Sequence, residues 1–343
     1  MDRHGRAGRA SLTPRPVAGT VEELVGQGAI RSPMSPADSK SGARFERVRR
    51  GGERFVLKHV DRDHDWIMRQ TGDLGCVPVT VWESGVLDLV PECIDHTTVG
   101  AARTPRGGAV LMRDVGAHLV ASDGSRLALD QHLRFLGHLA ACHAACLGWR
   151  DTVGLVPLAN RYSFFGPAAL ACEEALGFPQ RVARLARDGW VRLAAVAPDL
   201  AAALAPLRSA PYPVLEAMAT TPWTFLHGDW KLANLGSHPD GRTILVDWSM
   251  CGAGPPLTEL AHYVALNGMR LPAGHSRDDA IAVYRDALEG HGVDTEPWWD
   301  RQLALCTVGV MLQLGWQQGA DESGRDLAWW RPRALAAIAG LGR

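Results

Sequence analysis

The sequence predicts an α+β fold in two lobes, a small N-terminal lobe built on an antiparallel sheet and a larger, mainly helical C-terminal lobe. Two observations carry this. Alternation in Phe45-Glu46-Arg47-Val48-Arg49, the Gly51-Gly52 turn and the run Phe55-Val56-Leu57 spell a β-hairpin. From residue 127 onward, by contrast, apolar residues recur at helical spacing in 127–147, 170–176, 180–186, 193–207, 280–288 and 303–314. With 343 residues, 46% of them hydrophobic and 21% charged, the chain is long enough for one sizeable core or two lobes.

The elements follow in chain order. Residues 1–19 carry Arg3, Arg6, Arg9 and Arg15 among Gly and Pro without an apolar stretch, so they read as a disordered tail and not as a secretory signal. Thr20 and Glu23 stand at capping-box spacing and open a short helix that ends near Gly26. Thr80 and Glu83 repeat that spacing, with Pro78 just before, and predict a helix over 81–90. Ala109-Val110-Leu111-Met112 reads as a buried strand running into Arg113-Asp114-Val115-Gly116. The first lobe is therefore placed at 20–113 and the second at 114–343.

Chemistry is concentrated in Leu226-His227-Gly228-Asp229-Trp230-Lys231-Leu232-Ala233-Asn234 and in Ile244-Leu245-Val246-Asp247-Trp248, the latter behind a Pro-Asp-Gly turn. An Asp in a tight loop, an Asn five positions on and an Asp closing a β-branched strand supply one base and two metal ligands. Phosphoryl transfer requires a hydroxyl nucleophile to be oriented and charge on the β- and γ-phosphates to be neutralised. Asp229 suits the first task. Asn234 and Asp247 suit the second, since an amide carbonyl and a carboxylate are the hard oxygen donors that Mg²⁺ takes alongside phosphates and water.

His227-Gly228-Asp229 through Asn234, followed by Val246-Asp247-Trp248, resembles the signature of aminoglycoside phosphotransferase-like small-molecule kinases, and the likeness extends weakly from about Ser39 to about Asn267. The resemblance implies a protein-kinase-like fold, Asp229 as catalytic base, and Asn234 and Asp247 as Mg²⁺ ligands. It implies ATP or GTP as phosphoryl donor and a hydroxyl of an aminoglycoside, other antibiotic, sugar or amino alcohol as acceptor. Backbone groups of about Met112 to Val115 would then face the nucleotide base at a hinge between the lobes. Gly254-Pro255-Pro256-Leu257-Thr258-Glu259-Leu260-Ala261 resembles the family's G-x-P-x-x-D-L-A, with Glu259 where the pattern has Asp. The family residue is understood to brace the catalytic loop, so the extra methylene puts the details of that brace in question. The helix carrying His143 resembles the Leu-x-x-x-His helix that supports the loop.

Lysine usage points the same way. Of 36 basic Lys and Arg residues, only Lys40, Lys58 and Lys231 are lysines. In so biased a sequence a surviving lysine marks a place where a compact ammonium is needed instead of a planar fork. Lys58, in Arg54-Phe55-Val56-Leu57-Lys58, resembles the V-A-I-K strand lysine that grips the α- and β-phosphates. Lys40, Ser41 and Gly42 fall where a phosphate-covering loop would lie, with a plain solvated loop as the other reading. Lys231, two residues after the base, matches the catalytic-loop lysine of many protein kinases, which faces the γ-phosphate and the acceptor oxygen. Glu83 is the candidate acid for pairing with Lys58, against a capping or solvated role.

A net charge of −1 gives no electrostatic footprint for nucleic acid. The longest apolar stretch, 136–149, is interrupted by His138 and His143 and is too short to span a bilayer. Seven scattered cysteines, an odd number, predict free thiols in a reducing cytoplasm. His138, Cys142 and Cys146 lie on one helical face, which reads as core packing before it reads as a metal site. Trp298-Trp299, Trp316 and Trp329-Trp330 suit either helix packing or stacking on an acceptor, and the acids Asp278, Asp279, Asp294, Glu296, Asp300, Asp321 and Glu322 read as solvated faces. The partners expected are a nucleotide and a small hydroxylated molecule, and the sequence fixes no oligomeric state. Nucleotidyl transfer on the same scaffold and a nucleotide-binding pseudokinase stand as the alternative functions.

Overall fold

Gly51 and Gly52 both sit at positive φ, 57° and 86°, which lets two residues reverse the chain between paired strands. In the computed structural model, which describes residues 12–35, 41–319 and 324–341, this turn joins the central hairpin of the small lobe. The strands of that lobe are β1 (Ile30–Met34), β2 (Arg44–Arg50), β3 (Glu53–Asp61), β4 (Ile94–Asp95), β5 (Thr98–Thr104) and β6 (Gly107–Arg113). All but β4 form one antiparallel sheet, ordered β1-β2-β3-β6-β5. The register sets Phe45 opposite Lys58 and Glu46 opposite Leu57.

Strand period 2 then sorts the side chains. Val48, Phe55, Leu57, Ala109 and Leu111 make one apolar face, packed with Val25 of α1 (Val21–Val25). Val60, Ala101 and Val110 make the other, packed with Met68 of α2 (Trp66–Thr71) and with Val79 of α3 (Val77–Glu83). Lys58, two residues before Val60, belongs to this second face and is 4% exposed.

Three local expectations change. Residues 12–19 do not hang loose. Ala18 bridges Ala102 in parallel at the edge of β5, Arg15 N donates to the Glu83 carbonyl at 2.8 Å, and the Arg15 guanidinium stacks 4.5 Å from the Trp82 ring. A free sheet edge is thereby covered. Thr20 does cap α1 by accepting from Glu23 N, but the Glu23 carboxylate accepts from Gly19 N. The helix expected over 81–90 is α3, which begins four residues earlier and ends at Glu83. Pro78 lies within its first turn, where the missing N–H costs nothing, and Gly85 at φ 74° breaks it before a separate 3₁₀ turn over Val86–Leu89.

The large lobe contains α4 (Leu129–Ala145), α5 (Leu158–Ser163), α6 (Pro167–Ala175), α7 (Arg181–Val196), α8 (Pro198–Ser209), α9 (Tyr212–Met218), α10 (Leu257–Asn267), α11 (Arg277–Gly290), α12 (Trp299–Gln318) and α13 (Arg325–Ala339). The run 193–207, expected as one helix, is divided between α7 and α8. Pro198 pushes Ala197 out of the helical region, to φ −143° and ψ 68°, and opens a new helix itself. Helix α12 is apolar on nearly all sides, so it forms the axis on which α7, α10 and α13 pack. Of the tryptophans, Trp298, Trp299, Trp316 and Trp330 are buried among these helices, and Trp299 stacks on Tyr284. Asp321 and Glu322 lie outside the described residues.

Four short strands carry the chemistry-bearing segments: β7 (Thr224–Leu226), β8 (Leu235–Ser237), β9 (Thr243–Leu245) and β10 (Gly252–Gly254). The Pro-Asp-Gly turn joins β8 to β9, β10 pairs with β7, and β4 adds to β9 in parallel. His138 hydrogen-bonds Thr243 at 2.7 Å and the Cys146 thiol meets the Leu89 carbonyl at 3.6 Å, so both serve this packing. The seven cysteines are free thiols. No described helix is long and apolar enough to cross a membrane.

The α12 axis yields a stability prediction. A Cβ on Gly309 would overlap the Tyr162 ring of α5, whereas one on Gly137 of α4 meets nothing within 4 Å. Gly309→Ala should lower unfolding free energy by about 1–3 kcal/mol, the usual cost of overpacking, while Gly137→Ala should be neutral or stabilising by up to about 1 kcal/mol. Urea denaturation of both variants checks the pair.

Candidate active site

Strand β7 ends at Leu226 and the chain turns sharply through His227-Gly228-Asp229. Gly228 has φ 88°, and a Cβ there would overlap the Met250 carbonyl, so no other residue fits. The turn's backbone is held from two sides. Glu259, on the first turn of α10, accepts from Gly228 N at 2.7 Å and from His227 N at 3.1 Å. Arg161 of α5 donates to the Gly228 carbonyl. The extra methylene of Glu259 thus leaves both loop amides within reach of its carboxylate.

Glu259 is 1% exposed and also accepts from His143 Nε2 at 3.0 Å, while His143 Nδ1 lies 2.6 Å from the Tyr284 hydroxyl. Burial works against its charge, but the His143 hydrogen bond and neighbouring positive charge win and bring its pKa down to about 2. A buried anion with this many donors is a fixed point for the loop.

Asp229 is met by three side chains. Its Oδ2 accepts from Lys231 Nζ at 2.6 Å and from Asn234 Nδ2 at 2.8 Å, and its Oδ1 lies 3.2 Å from His262 Nε2. Burial raises its pKa, yet Lys231 and His262 outweigh that and hold the carboxyl far below the usual carboxylate range. With its Asn234 nitrogen spent on Asp229, the Asn234 amide oxygen is left as that side chain's donor atom for a cation.

Asp247 follows β9 in the left-handed region at φ 66°, ψ 71°, a strained conformation that Asp tolerates better than most residues. Its Oδ1 accepts from Lys58 Nζ at 2.6 Å and from Ser249 Oγ at 2.7 Å, and Lys58 also reaches Ser249 Oγ at 2.9 Å. Lys58 crosses from the small lobe to make this contact. Burial alone would discharge its ammonium, but Asp247 and Asp65 hold its pKa above the ordinary lysine value. Burial likewise opposes the Asp247 charge, and Lys58 keeps its pKa low.

Glu83 is not the partner of Lys58. Its carboxylate pairs with Arg103 on the exposed side of the small lobe, because α3 starts earlier than expected and turns Glu83 away. Besides Asp247, the acid acting on Lys58 is Asp65, 2% exposed, whose Oδ1 caps α2 by accepting from Ile67 N and Met68 N. Burial lifts its pKa to about 6 against the pull of Lys58.

Ser41 and Gly42 lie beside this cap. Ser41 Oγ accepts from Ala43 N at 3.1 Å, Trp66 N donates to the Ser41 carbonyl, and Gly42 at φ 92° packs against the His64 backbone. Lys40 lies outside the described residues. Met112 is paired within β6, opposite Val56 and Thr98. Beyond it, Arg113 N and Asp114 N donate to the Thr97 and Arg54 carbonyls, and the Val115 carbonyl accepts from His118 N.

Four residues in this constellation escaped the sequence reading: Asp65, Arg161, Ser249 and His262. Two had legible signals, since Asp65 is a cap residue before an apolar run and His262 stands three positions after Glu259 on one helix face. Arg161 had none.

Asp65 supplies a pH prediction. Its folded pKa, about 6, lies above the unfolded reference of 3.8, so the folded state binds the extra proton between these values. Stability contributed by Asp65 is present below pH 3.8 and is lost as pH rises through about 6. Asp65→Asn keeps a capping side chain and removes the titration. The difference in unfolding free energy between wild type and variant should therefore shift by about 3 kcal/mol across that window, to the disadvantage of wild type at the alkaline end. Urea titrations between pH 4 and 7.5 measure it, and parallel curves would contradict it.

Comparison with known proteins gives the family. The family model described as "Phosphotransferase enzyme family" matches residues 39–293. No curated protein matches the sequence. Among solved structures, choline kinase LicA from Streptococcus pneumoniae in its complex with AMP aligns at 13% identity and TM-score 0.49, covering 93% of this chain and 94% of that one. A microcompartment-associated aminopropanol kinase aligns at 17% identity and TM-score 0.48, over 91% and 92% of the two chains. A thermostable mutant of aminoglycoside phosphotransferase APH(4)-Ia, in a ternary complex with ADP and hygromycin B, aligns at 13% identity and TM-score 0.47, over 90% and 93%. The family match spans most of the chain and contains residues 226–234 together with Lys58, Asp247 and Glu259: the protein belongs to the phosphotransferase enzyme family and is a phosphotransferase.

Proposed function

We propose that this phosphotransferase moves the γ-phosphoryl group of ATP or GTP, with Mg²⁺, to a hydroxyl of a small molecule. The observation that carries the reading is the pair of linked clusters. Asp229, Lys231 and Asn234 form one hydrogen-bonded set, and Asp247, Lys58 and Ser249 form the other.

The donor set fits Mg²⁺. Asp247 has its second carboxylate oxygen outside the Lys58 contact, and Asn234 has its amide oxygen outside the Asp229 contact. One carboxylate and one carbonyl, completed by phosphate oxygens and water, is how this cation is commonly held. When bound, the ion neutralises charge on the β- and γ-phosphates.

The chain's own residues do the rest. Lys58 offers a buried, fully charged ammonium to the α- and β-phosphates. Asp229 orients the acceptor hydroxyl and takes its proton as the new oxygen–phosphorus bond forms and the bond from the γ-phosphorus to the bridging oxygen breaks, releasing ADP or GDP; Lys231 lies beside both the acceptor oxygen and the migrating group. Small hydroxylated acceptors, among them amino alcohols, sugars and aminoglycosides, are the class to test. A panel of such compounds and antibiotics with Mg·ATP and Mg·GTP should reveal one acceptor that gains the mass of a single phosphoryl group. Products carrying a nucleotidyl group instead would overturn the reaction type.

Two substitutions test the roles. Asp229→Asn should retain nucleotide binding while turnover falls by about a hundredfold or more, since loss of a general base costs roughly 10²–10⁴ in rate. Unchanged turnover would remove Asp229 from its role. Lys231→Arg keeps the charge but replaces a compact ammonium, 2.6 Å from Asp229, with a wider planar group. A displacement of about 1 Å at the reacting atoms can cost on the order of a hundredfold, so turnover should drop steeply with nucleotide affinity little changed. Steady-state kinetics beside the surface control Arg49→Lys decides it.

A further inference from the structure

Lone-pair accounting on Asp229 singles out one oxygen. A carboxylate offers about four acceptor positions, two on each oxygen. Oδ2 has filled both with Lys231 and Asn234, whereas Oδ1 has filled one with His262. The position left for an acceptor hydroxyl is on Oδ1, the oxygen that His262 holds.

His262 differs from the other two neighbours in where it comes from. Lys231 and Asn234 ride on the catalytic loop and move with it. His262 belongs to α10, one turn beyond Glu259, whose carboxylate fixes the loop's backbone amides. One rigid helix thus sets both the loop's backbone and the rotation of its reacting carboxylate. Besides Asp229, Arg161 of α5 and Lys231 are charged neighbours of the ring, and both disfavour a positive charge on it.

The ring is also expensive to keep. His262 is 4% exposed, its Nε2 must donate to reach the carboxylate, and its Nδ1 is buried without a hydrogen-bond partner among the described residues. An unpartnered buried nitrogen destabilises the fold, so an apolar side chain would serve better if filling space were the only task.

We infer that His262 is the positioning residue of the reaction: its Nε2–H holds the Asp229 carboxylate so that the open lone pair of Oδ1 faces the acceptor hydroxyl. This rests on the reading of Asp229 as base.

The test uses the full chain with Mg·ATP, water serving as acceptor and ADP release as the signal. His262→Ala should lower kcat about ten- to hundredfold, as expected for lost orientation, with KM for ATP changed by less than about twofold. His262→Gln can place its amide nitrogen where Nε2 stood, and should restore most of the rate. His262→Asn places its nitrogen where Nδ1 stood, and should not. Equal rescue by both amides, an unchanged rate in the Ala variant, or a loss of ATP affinity matching the loss of kcat would each overturn the inference. Nitrogen-15 NMR of labelled histidines gives an arm independent of turnover: the His262 ring should carry its proton on Nε2, and a proton on Nδ1 alone would also overturn it. Asp229→Asn run alongside separates the two ideas. If it abolishes ADP release while His262→Ala does not, only the role of His262 fails; if it leaves release intact, the reading of Asp229 fails instead.

Discussion

The 227–229 turn depends on one buried carboxylate, that of Glu259. A tight turn at φ 88° leaves the amides of His227 and Gly228 pointing inward, and two such buried donors without acceptors would be costly. Glu259 satisfies both and is in turn fixed by His143, itself tied to Tyr284 of α11. The chain of contacts therefore runs from helix core to catalytic loop through a single anion. Arg161 closes the opposite side by donating to the Gly228 carbonyl. Because each member is buried, removing any one would leave its partners uncompensated, at a large cost to the fold.

The second constraint joins the lobes. Lys58 is anchored on β3 but ends against Asp247 and Ser249 of the large lobe, so its ammonium spans the cleft. Asp247 is held in a left-handed conformation by the residues around it, with Lys58 and Ser249 both on Oδ1. Strain of that kind persists only where the surroundings over-determine it. A second acid, Asp65, stands near Lys58 at the cap of α2. Its raised pKa means that the lysine's negative surroundings strengthen as pH passes about 6.

Much of this was legible in the sequence, for physical reasons that differ from part to part. The hairpin was plain because Gly-Gly turns and strand alternation are local signals, and the catalytic segments because their chemistry is packed into short spacings. Lys58 and Lys231 stood out through rarity, and both end 2.6 Å from a carboxylate of the site. Where reading failed, the deciding interaction was non-local or ambiguous. Thr80 and Glu83 imitate a capping box, but Pro78 and Gly85 set the real bounds of α3 and turned Glu83 toward Arg103. Arg161 could not have been found at all, since its partner is 67 residues away and nothing near it in sequence marks a site.

The substitution of Glu for Asp at position 259 now has a structural meaning. The longer side chain keeps both loop amides and His143 within hydrogen-bond distance. It does so from the first turn of α10, which leaves the next turn of the same helix facing Asp229. The turn's backbone amides and the Asp229 side chain are thereby both tied to one helix. The order of this turn comes from α10 as well as from the loop, because Glu259 and His262 reach it from a helix packed on α12.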